Sequence, residues 1–246
     1  MKAIFAPTSN LERLLAGVDI VKRRGAREAG YLLVTSVPGY GKTETLLWLA
    51  SQKPDSIIYL RAKSGWTRHW FLSDLHNEVR HAPSRHTEDL FQAALAILKS
   101  RPDYTLIIDE VEHALLDKRV VECIRDLSDL AKIPVILVGM EEVQAKLARF
   151  PQLSSRVAAV AHFQPATLKD VMAVANTLLE GVAITEDLAT EILAHSHGLM
   201  RGVLNALARV EAEAKLRKAK QMTLADMAGK ELVPDWQSKS PRVVRL

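Results

Sequence analysis

Short, almost uninterrupted apolar runs recur along this chain, separated by longer stretches in which apolar residues return every three or four positions. The runs are Tyr31–Ser36 (YLLVTS), Ser56–Leu60 (SIIYL), Tyr104–Ile108 (YTLII) and Ile133–Gly139 (IPVILVG), with a weaker one at Val157–Phe163 (VAAVAHF). They are rich in β-branched residues, bounded by turn residues and free of polar alternation. Such runs read as strands buried on both faces, the habit of a parallel sheet covered by helices. Between them, Thr43–Ser51, Trp70–Arg80, Thr87–Lys99 and Lys118–Ala131 have helical spacing and few breakers. The alternation predicts a doubly wound α/β core.

After Pro165 the pattern changes to three helices, Thr167–Leu179, Thr185–His195 and Arg201–Lys218, with no strand between them. Thr167 and Asp170 are spaced as a capping box, Thr185 is placed to cap the second helix, and Gly198 can stop it. The expected organisation is an α/β domain over residues 1–164 and a small all-helical lid over 165–228. Residues 229–246 then form a basic tail, expected to be flexible as chain ends usually are.

Composition changes this picture little. The chain of 246 residues is 48% hydrophobic and 25% charged, enough to bury a sizeable core, which excludes a disordered, collagen-like or small disulfide-built protein. Its formal charge of +4 leaves nucleic acid open as a partner without arguing for it. The single cysteine, Cys123, lies in helical sequence and reads as a buried small side chain. The N-terminus lacks the pattern of a signal peptide, and the longest apolar run, IPVILVGM, is too short to cross a bilayer. A cytoplasmic protein without a membrane partner is expected.

The sharpest chemical signal is S-V-P-G-Y-G-K-T, Ser36 to Thr43, between the strand YLLVT and the helix ETLLWLA. A phosphate-binding P-loop needs that order: a strand, a tight loop with exposed backbone N–H groups, and a helix whose positive end faces the phosphates. Gly39 and Gly41 let the loop close around an anion, Lys42 reaches the β- and γ-phosphates, and Thr43 offers its hydroxyl to Mg²⁺. The nucleotide-contacting stretch is thus Ser36, Val37, Pro38, Gly39, Tyr40, Gly41, Lys42, Thr43 and Glu44. The pattern departs from the consensus only in carrying Ser36 for the first glycine, a position that turns the chain more than it touches phosphate. Downstream, T-L-I-I-D-E ends an apolar strand in two acids. Asp109 is placed to hold Mg²⁺ through water and Glu110 to polarise a water for attack on the γ-phosphate. Together these elements predict a protein that binds ATP or GTP.

The acid pair and the three-helix appendage resemble the AAA+ ATPases, and the rest of that pattern can be followed in this chain. L-S-S-R-V, Leu153–Val157, resembles the element that reaches a neighbouring subunit's ATP, which implies an arginine-finger role for Arg156. G-L-M-R-G, Gly198–Gly202, resembles the sensor 2 motif, which implies that Arg201 touches nucleotide from the same chain. At the end of the fourth strand, where related proteins carry a polar sensor 1 residue, V-G-M-E-E places Met140. A thioether does not orient water as an amide does. Glu141 or Glu142 could substitute, or hydrolysis would be slow and switch-like.

Within AAA+, the lead-in A-P-T-S-N-L-E-R-L-L together with P-G-Y-G-K-T, I-I-D-E-V-E-H, V-G-M-E-E, S-S-R-V and G-L-M-R-G resembles the small transposition regulators, the group of the phage Mu B protein, TniB, TnsC and IstB. That resemblance implies ATP and Mg²⁺ as cofactors and ATP-driven self-association into a hexamer or helical filament around double-stranded DNA, bound largely without sequence preference. It also implies stimulation of a transposase and disassembly on hydrolysis. Without the extra DNA-binding domain of the Mu B protein or an initiator's winged helix, DNA contact would fall to the core or the tail.

Arg61, Lys63 and Arg68 lie with Trp66 in one short stretch after the second strand run. They would neutralise phosphates without reading sequence. A solvated loop with Trp66 tucked into the core fits the same residues. The basic run Lys215–Lys220 suits a helix C-terminus, and Pro241–Leu246 could bind a partner protein. His69, His76, His81 and His86 have no metal-ligand spacing, and His195 and His197 read as local hydrogen-bonding groups. A helicase loader or replication initiator would use the same core, and so would an AAA+ switch with no DNA role.

Overall fold

The structure, a computed structural model, describes residues 1–23, 30–82, 84–101, 103–233 and 243–244. In chain order the elements are α1 (Ser9–Arg23), β1 (Tyr31–Thr35), α2 (Lys42–Gln52), β2 (Ile57–Arg61), α3 (Arg68–Glu78), α4 (Thr87–Ser100), β3 (Thr105–Asp109), α5 (Val111–Ala114) and α6 (Lys118–Ala131). They continue with β4 (Val135–Gly139), α7 (Val143–Leu147), α8 (Pro151–Ser154), β5 (Val157–His162), α9 (Leu168–Leu178), β6 (Ala183–Ile184), α10 (Glu186–Ser196), α11 (Met200–Arg217) and β7 (Gln221–Met222). The chain divides into a sheet unit, Arg13–Val37 with Leu46–Phe163, and a helical unit, Met1–Glu12, Pro38–Thr45 and Gln164–Leu246. The division runs through the first expected domain, because residues 1–12 and 38–45 group with the helices.

The sheet unit holds five parallel strands in the order β2-β3-β4-β1-β5. Every residue of β1, β3 and β4 is buried, as the unbroken apolar runs require. Tyr31 opens β1 with no exposed surface, and its hydroxyl meets Ser128 Oγ at 2.6 Å. Burial raises its pKa, so the phenol stays neutral and hydrogen-bonding. α6 packs Val120, Val121, Cys123, Ile124 and Leu127 inward. Asp117 caps its N-terminus, and Lys132, left-handed at φ 61°, ends it. Burial pushes the Cys123 thiol up to about 12, so it acts as a packing group rather than a nucleophile.

Because β1 lies between β4 and β5 while the chain leaves it for the far edge at β2, the crossovers reverse direction there. In open α/β sheets, ligands bind beyond the carboxyl ends of the strands at such a switch point. Thr35, Asp109 and Gly139 end their strands on that edge.

In the helical unit, α9 begins with the expected capping box, in which Thr167 Oγ1 accepts from Asp170 N at 3.2 Å and Asp170 Oδ2 accepts from Thr167 N at 2.8 Å. The same carboxylate accepts from Ser9 N at 2.7 Å and Ser9 Oγ at 2.9 Å, so one buried acid anchors the starts of both α1 and α9. Two local expectations are corrected. Thr185 makes no side-chain cap on α10; its hydroxyl donates to Met222 O at 3.3 Å instead. The helices are also not strand-free, since Ala183–Ile184 pairs in parallel with Gln221–Met222, a ladder too short to leave a periodic signal. His197 at φ 50° ends α10 one residue before Gly198. Much of the expected tail, 234–242 and 245–246, lies outside the described residues. Val243 bridges Glu231 and Val244 is 2% exposed in the helical unit's apolar core, so this described part is packed rather than free.

Burial raises the Asp170 pKa and its hydrogen bonds lower it, with a net shift below the ordinary carboxylate value of 3.8. Its contribution is therefore complete above the unfolded-state pKa and lost as pH falls through the lower folded-state value. Asp170→Ala is expected to cost about 2–4 kcal/mol, since charge-assisted buried bonds and a helix cap are lost together. Urea melts of both proteins from pH 7 to pH 2 should show the gap between them closing in acid.

Candidate nucleotide-binding site

The P-loop leaves the buried end of β1 and enters α2 at Lys42. Gly39 and Gly41 stand at φ +96° and +87°, backbone that L side chains rarely adopt, so the loop's two glycines are required conformationally. Space is a lesser constraint: a Cβ on Gly39 would press to 3.3 Å from the Leu199 side chain, whereas one on Gly41 would meet Met200 in ordinary contact at 3.8 Å. Ser36 is buried, does not have positive φ, and donates from Oγ to Val37 O at 2.7 Å. This is why a serine fits where the consensus has glycine. Val37 and Pro38 are exposed, as is Glu44 in the first turn of α2, while Tyr40, Lys42 and Thr43 are half-buried. Thr45 closes that turn, its hydroxyl donating to Gly41 O at 2.8 Å.

The acid pair ends β3. Asp109 is 2% exposed; Oδ2 accepts from the Tyr59 hydroxyl at 2.8 Å and Oδ1 from Glu110 N at 2.9 Å. Burial and the neighbouring Asp109 raise the Tyr59 pKa, which keeps that phenol a donor. Glu110 is left-handed at φ 54° and ψ 42°, a conformation costing a non-glycine residue about 1 kcal/mol or more. It turns the side chain back over the end of β2, where Arg61 binds it at 2.5 Å. The Arg61 hydrogen bond holds the Glu110 carboxyl below its usual value, so the acid is charged and engaged.

Beside this pair, Glu112 Oε1 accepts from Met140 N at 2.8 Å, tying α5 to the end of β4. Its Oε2 is buried without a partner among the described residues. Met140 is 46% exposed, and Glu141 and Glu142 point to solvent. Glu112, rather than Glu141 or Glu142, is therefore the carboxylate held against the end of β4 beside Met140. Nothing in the run D-E-V-E-H marks which of its acids would turn toward β4.

Arg156 lies on the opposite edge of the sheet, where its carbonyl accepts from Tyr31 N at 2.9 Å. That is about 15 Å, one five-residue strand, from the edge bearing Thr35 and Asp109. Asp129 of α6 grips its guanidinium through Nε at 2.8 Å and Nη2 at 2.5 Å, and Nη1 donates to Gln152 O. In the helical unit, Arg201 is exposed at the second residue of α11, whose first turn carries no acid. A cation at the positive end of a helix is disfavoured unless an anion joins it.

The cationic stretch after β2 is internally engaged. Arg61 holds Glu110, Lys63 binds Asp74 at 2.8 Å, and the Arg68 guanidinium stands 5.4 Å over the Phe91 ring. Trp66 belongs to the core: it is 2% exposed, packs edge-on against Phe71, and donates from Nε1 to Asp74 at 2.9 Å. Lys215 and Arg217 likewise pair with Glu211 and Glu213 on their own helix. Among the described residues no helix is long and apolar enough to cross a membrane.

The family model described as an AAA domain matches residues 23–147. Among solved structures, Cdc6p from Pyrobaculum aerophilum shares 18% identity over 92% of this chain and 68% of its own, with a TM-score of 0.69. The ORC1 protein of Aeropyrum pernix in complex with DNA shares 16% over 90% and 63%, with a TM-score of 0.62. The RuvB Holliday junction branch migration motor of Thermotoga maritima shares 22% over 88% and 66%, with a TM-score of 0.58. At these identities the likeness is one of fold, and the chain spans about two thirds of each. No curated protein matches by sequence.

The Glu112 contact gives a packing test. A Cβ on Gly139 would lie 2.6 Å from Glu112 Oε2 and 3.0 Å from Val143 Cβ. Gly139→Ala should therefore destabilise the protein by about 1–3 kcal/mol, and adding Glu112→Ala should recover part of that loss. Thermal melts of the two single variants and the double variant measure the coupling.

Proposed function

The chain belongs to the AAA domain family, and from that premise we propose that it is an ATPase that assembles on double-stranded DNA, presents that DNA to a transposase and is dismantled by hydrolysis. In this reading the backbone amides around Gly39 and Gly41 wrap the phosphates, and Lys42 neutralises them. Thr43 and Asp109 supply the hard oxygen donors that suit Mg²⁺, Asp109 through water. The ion, when bound, neutralises charge building on the phosphates. Arg201 meets the nucleotide from the helical unit.

The observation that carries the reading is the Arg61–Glu110 pair. Glu110 acts as a base toward water only when its carboxylate is released from the guanidinium. Arg61 is 60% exposed and is also the first of the cations proposed to meet DNA. A phosphate of the duplex competes for it, because guanidinium binds phosphate through the same paired donors that it offers a carboxylate. DNA that takes Arg61 thereby frees the base, which links DNA binding to hydrolysis. Lys63 and Arg68 extend the same surface and give largely non-specific affinity.

Arg156, a strand length from the sheet edge that carries Asp109, acts in this reading on the ATP of a neighbouring subunit, as the arginine finger. Such contacts are head-to-tail and generate a ring if the rotation closes or a filament if it does not. A replication initiator or helicase loader is the second reading, favoured by the fold likeness to Cdc6p and to an ORC1 protein in complex with DNA.

Electron microscopy with a slowly hydrolysed ATP analogue, with and without long duplex DNA, distinguishes the two. The transposition reading expects filaments or rings that need both ligands; one-to-one capture of a replicative helicase without polymer would move the assignment to the loader. Lys42→Ala should weaken nucleotide binding about tenfold or more, and Glu110→Gln should trap ATP-bound assemblies. Arg156→Ala should keep nucleotide affinity while lowering assembly-dependent hydrolysis by about 10²-fold or more. Unchanged turnover in that variant would remove the finger from the account.

A further inference from the structure

Asn10, in the first turn of α1, is 3% exposed and makes a set of hydrogen bonds that no sequence motif announces. Its Oδ1 accepts from Gln164 N at 2.9 Å, and its Nδ2 donates to Gln164 O at 2.9 Å. The same Nδ2 reaches Tyr40 O at 3.3 Å. The primary amide thus pairs with the backbone of Gln164 as one strand pairs with another, and its remaining donor holds the carbonyl between the two left-handed glycines of the P-loop. All three residues lie in the helical unit.

We propose that Asn10 is a positioning residue that latches the P-loop to Gln164, the residue just before the lid. The reason lies in the loop's own chemistry. Gly39 and Gly41 lack side chains that could fix them, and each has unusual conformational freedom in the unbound protein. A loop that binds phosphate through backbone N–H groups gains affinity when those groups are already oriented. Tyr40 O is a point at which the Tyr40–Gly41 peptide plane can be held from behind without blocking its N–H face. An amide suits the task, because it offers the donor that a carbonyl needs and the acceptor that Gln164 N needs at the same time.

The latch also reaches further into the lid. Ser9, the preceding residue, binds Asp170 at the start of α9 through both its N–H and its hydroxyl. Beyond Gln164, Ala166 N donates to Gly198 O at 2.9 Å, and a Cβ on Gly198 would lie 2.6 Å from Pro165 Cβ. Gly198 opens the short stretch that leads to Met200 and Arg201. Asn10 therefore ties the P-loop to the lid segment that connects with the base of α11. Order imposed on the loop by a nucleotide is passed to the 164–170 segment through one side chain.

The inference about nucleotide rests on the ATP-binding reading, whereas the latch itself does not, so the test has two arms. Asn10→Asp keeps the acceptor for Gln164 N and sets a carboxylate oxygen against the carbonyls of Gln164 and Tyr40; Asn10→Ala removes both halves. Hydrogen exchange of the nucleotide-free proteins is compared over peptides covering 36–45 and 163–170, with circular dichroism and thermal melts confirming the fold. Exchange at least about tenfold faster in both segments is expected for the Asp variant. Unchanged exchange overturns the latch, whatever the protein does with nucleotide.

In the second arm, fluorescent ATP with Mg²⁺ is titrated and exchange is repeated at saturation. The wild type should gain protection at 163–170 on binding. The Asp variant should bind about tenfold more weakly and lose that protection. A variant that is less stable yet binds with wild-type affinity and gains wild-type protection reduces Asn10 to a structural residue and overturns the proposal. Failure of the wild type itself to bind nucleotide condemns the ATP reading and the transmission with it, and leaves the latch to be judged by the first arm. If Asn10→Asp does not fold, Asn10→Ser carries both arms.

Discussion

Strand β1 is the constraint on which the rest of the structure depends. All five of its residues are buried, and it is paired in parallel on both sides, with β4 and β5. A strand so placed offers no polar face for chemistry, so function is displaced to its ends. At its carboxyl end, Thr35 Oγ1 meets His162 Nδ1 at 2.8 Å, and the chain then turns into a loop whose glycines adopt left-handed backbone. Apolar burial leaves the strand itself without chemistry, and the backbone beyond its carboxyl end carries the N–H groups proposed to meet phosphate. The acids at the end of β3 and the corner at Gly139 share that edge because parallel strands end in register.

Charge is arranged at the two edges of the sheet in matching fashion. At one, Arg61 holds Glu110; at the other, Asp129 holds Arg156. In each pair a group with a proposed catalytic role is occupied by an internal partner in the isolated chain. The exposed Arg61 pair is open to competition from a phosphate, since its attraction is screened by water and salt. Arg156 is more firmly seated, by three hydrogen bonds to Asp129 and Gln152. In the proposed function, these two pairs withhold activity until a DNA strand and a neighbouring subunit are present.

Much of this was legible in the sequence where the signal is local. The runs of β1, β3 and β4 were readable because burial on both faces leaves continuous apolar stretches, while half-buried β5 left the weaker run; the P-loop was readable because its glycines, lysine and threonine lie close together. Thr67, which accepts from Trp70 N, starts α3 at Arg68, earlier than periodicity suggests. The ladder of β6 and β7 is not legible in the sequence, because two residues carry no period. The pairs that tune the candidate site were illegible for a different reason. Asn10 and Gln164 are 154 residues apart, Glu112 and Met140 28, and Arg156 and Asp129 27. Each depends on where the fold brings an unremarkable polar residue, which neither propensity nor motif encodes.

The account's central claim is that Arg61 restrains Glu110 until DNA claims it. The most direct measurement is steady-state ATP hydrolysis as a function of duplex DNA concentration, for the wild type and for Arg61→Ala. The account predicts that DNA raises the wild-type rate several-fold, and that the variant turns over faster than the wild type without DNA and gains little when DNA is added. Equal basal rates in the two proteins, with identical stimulation by DNA, would contradict it.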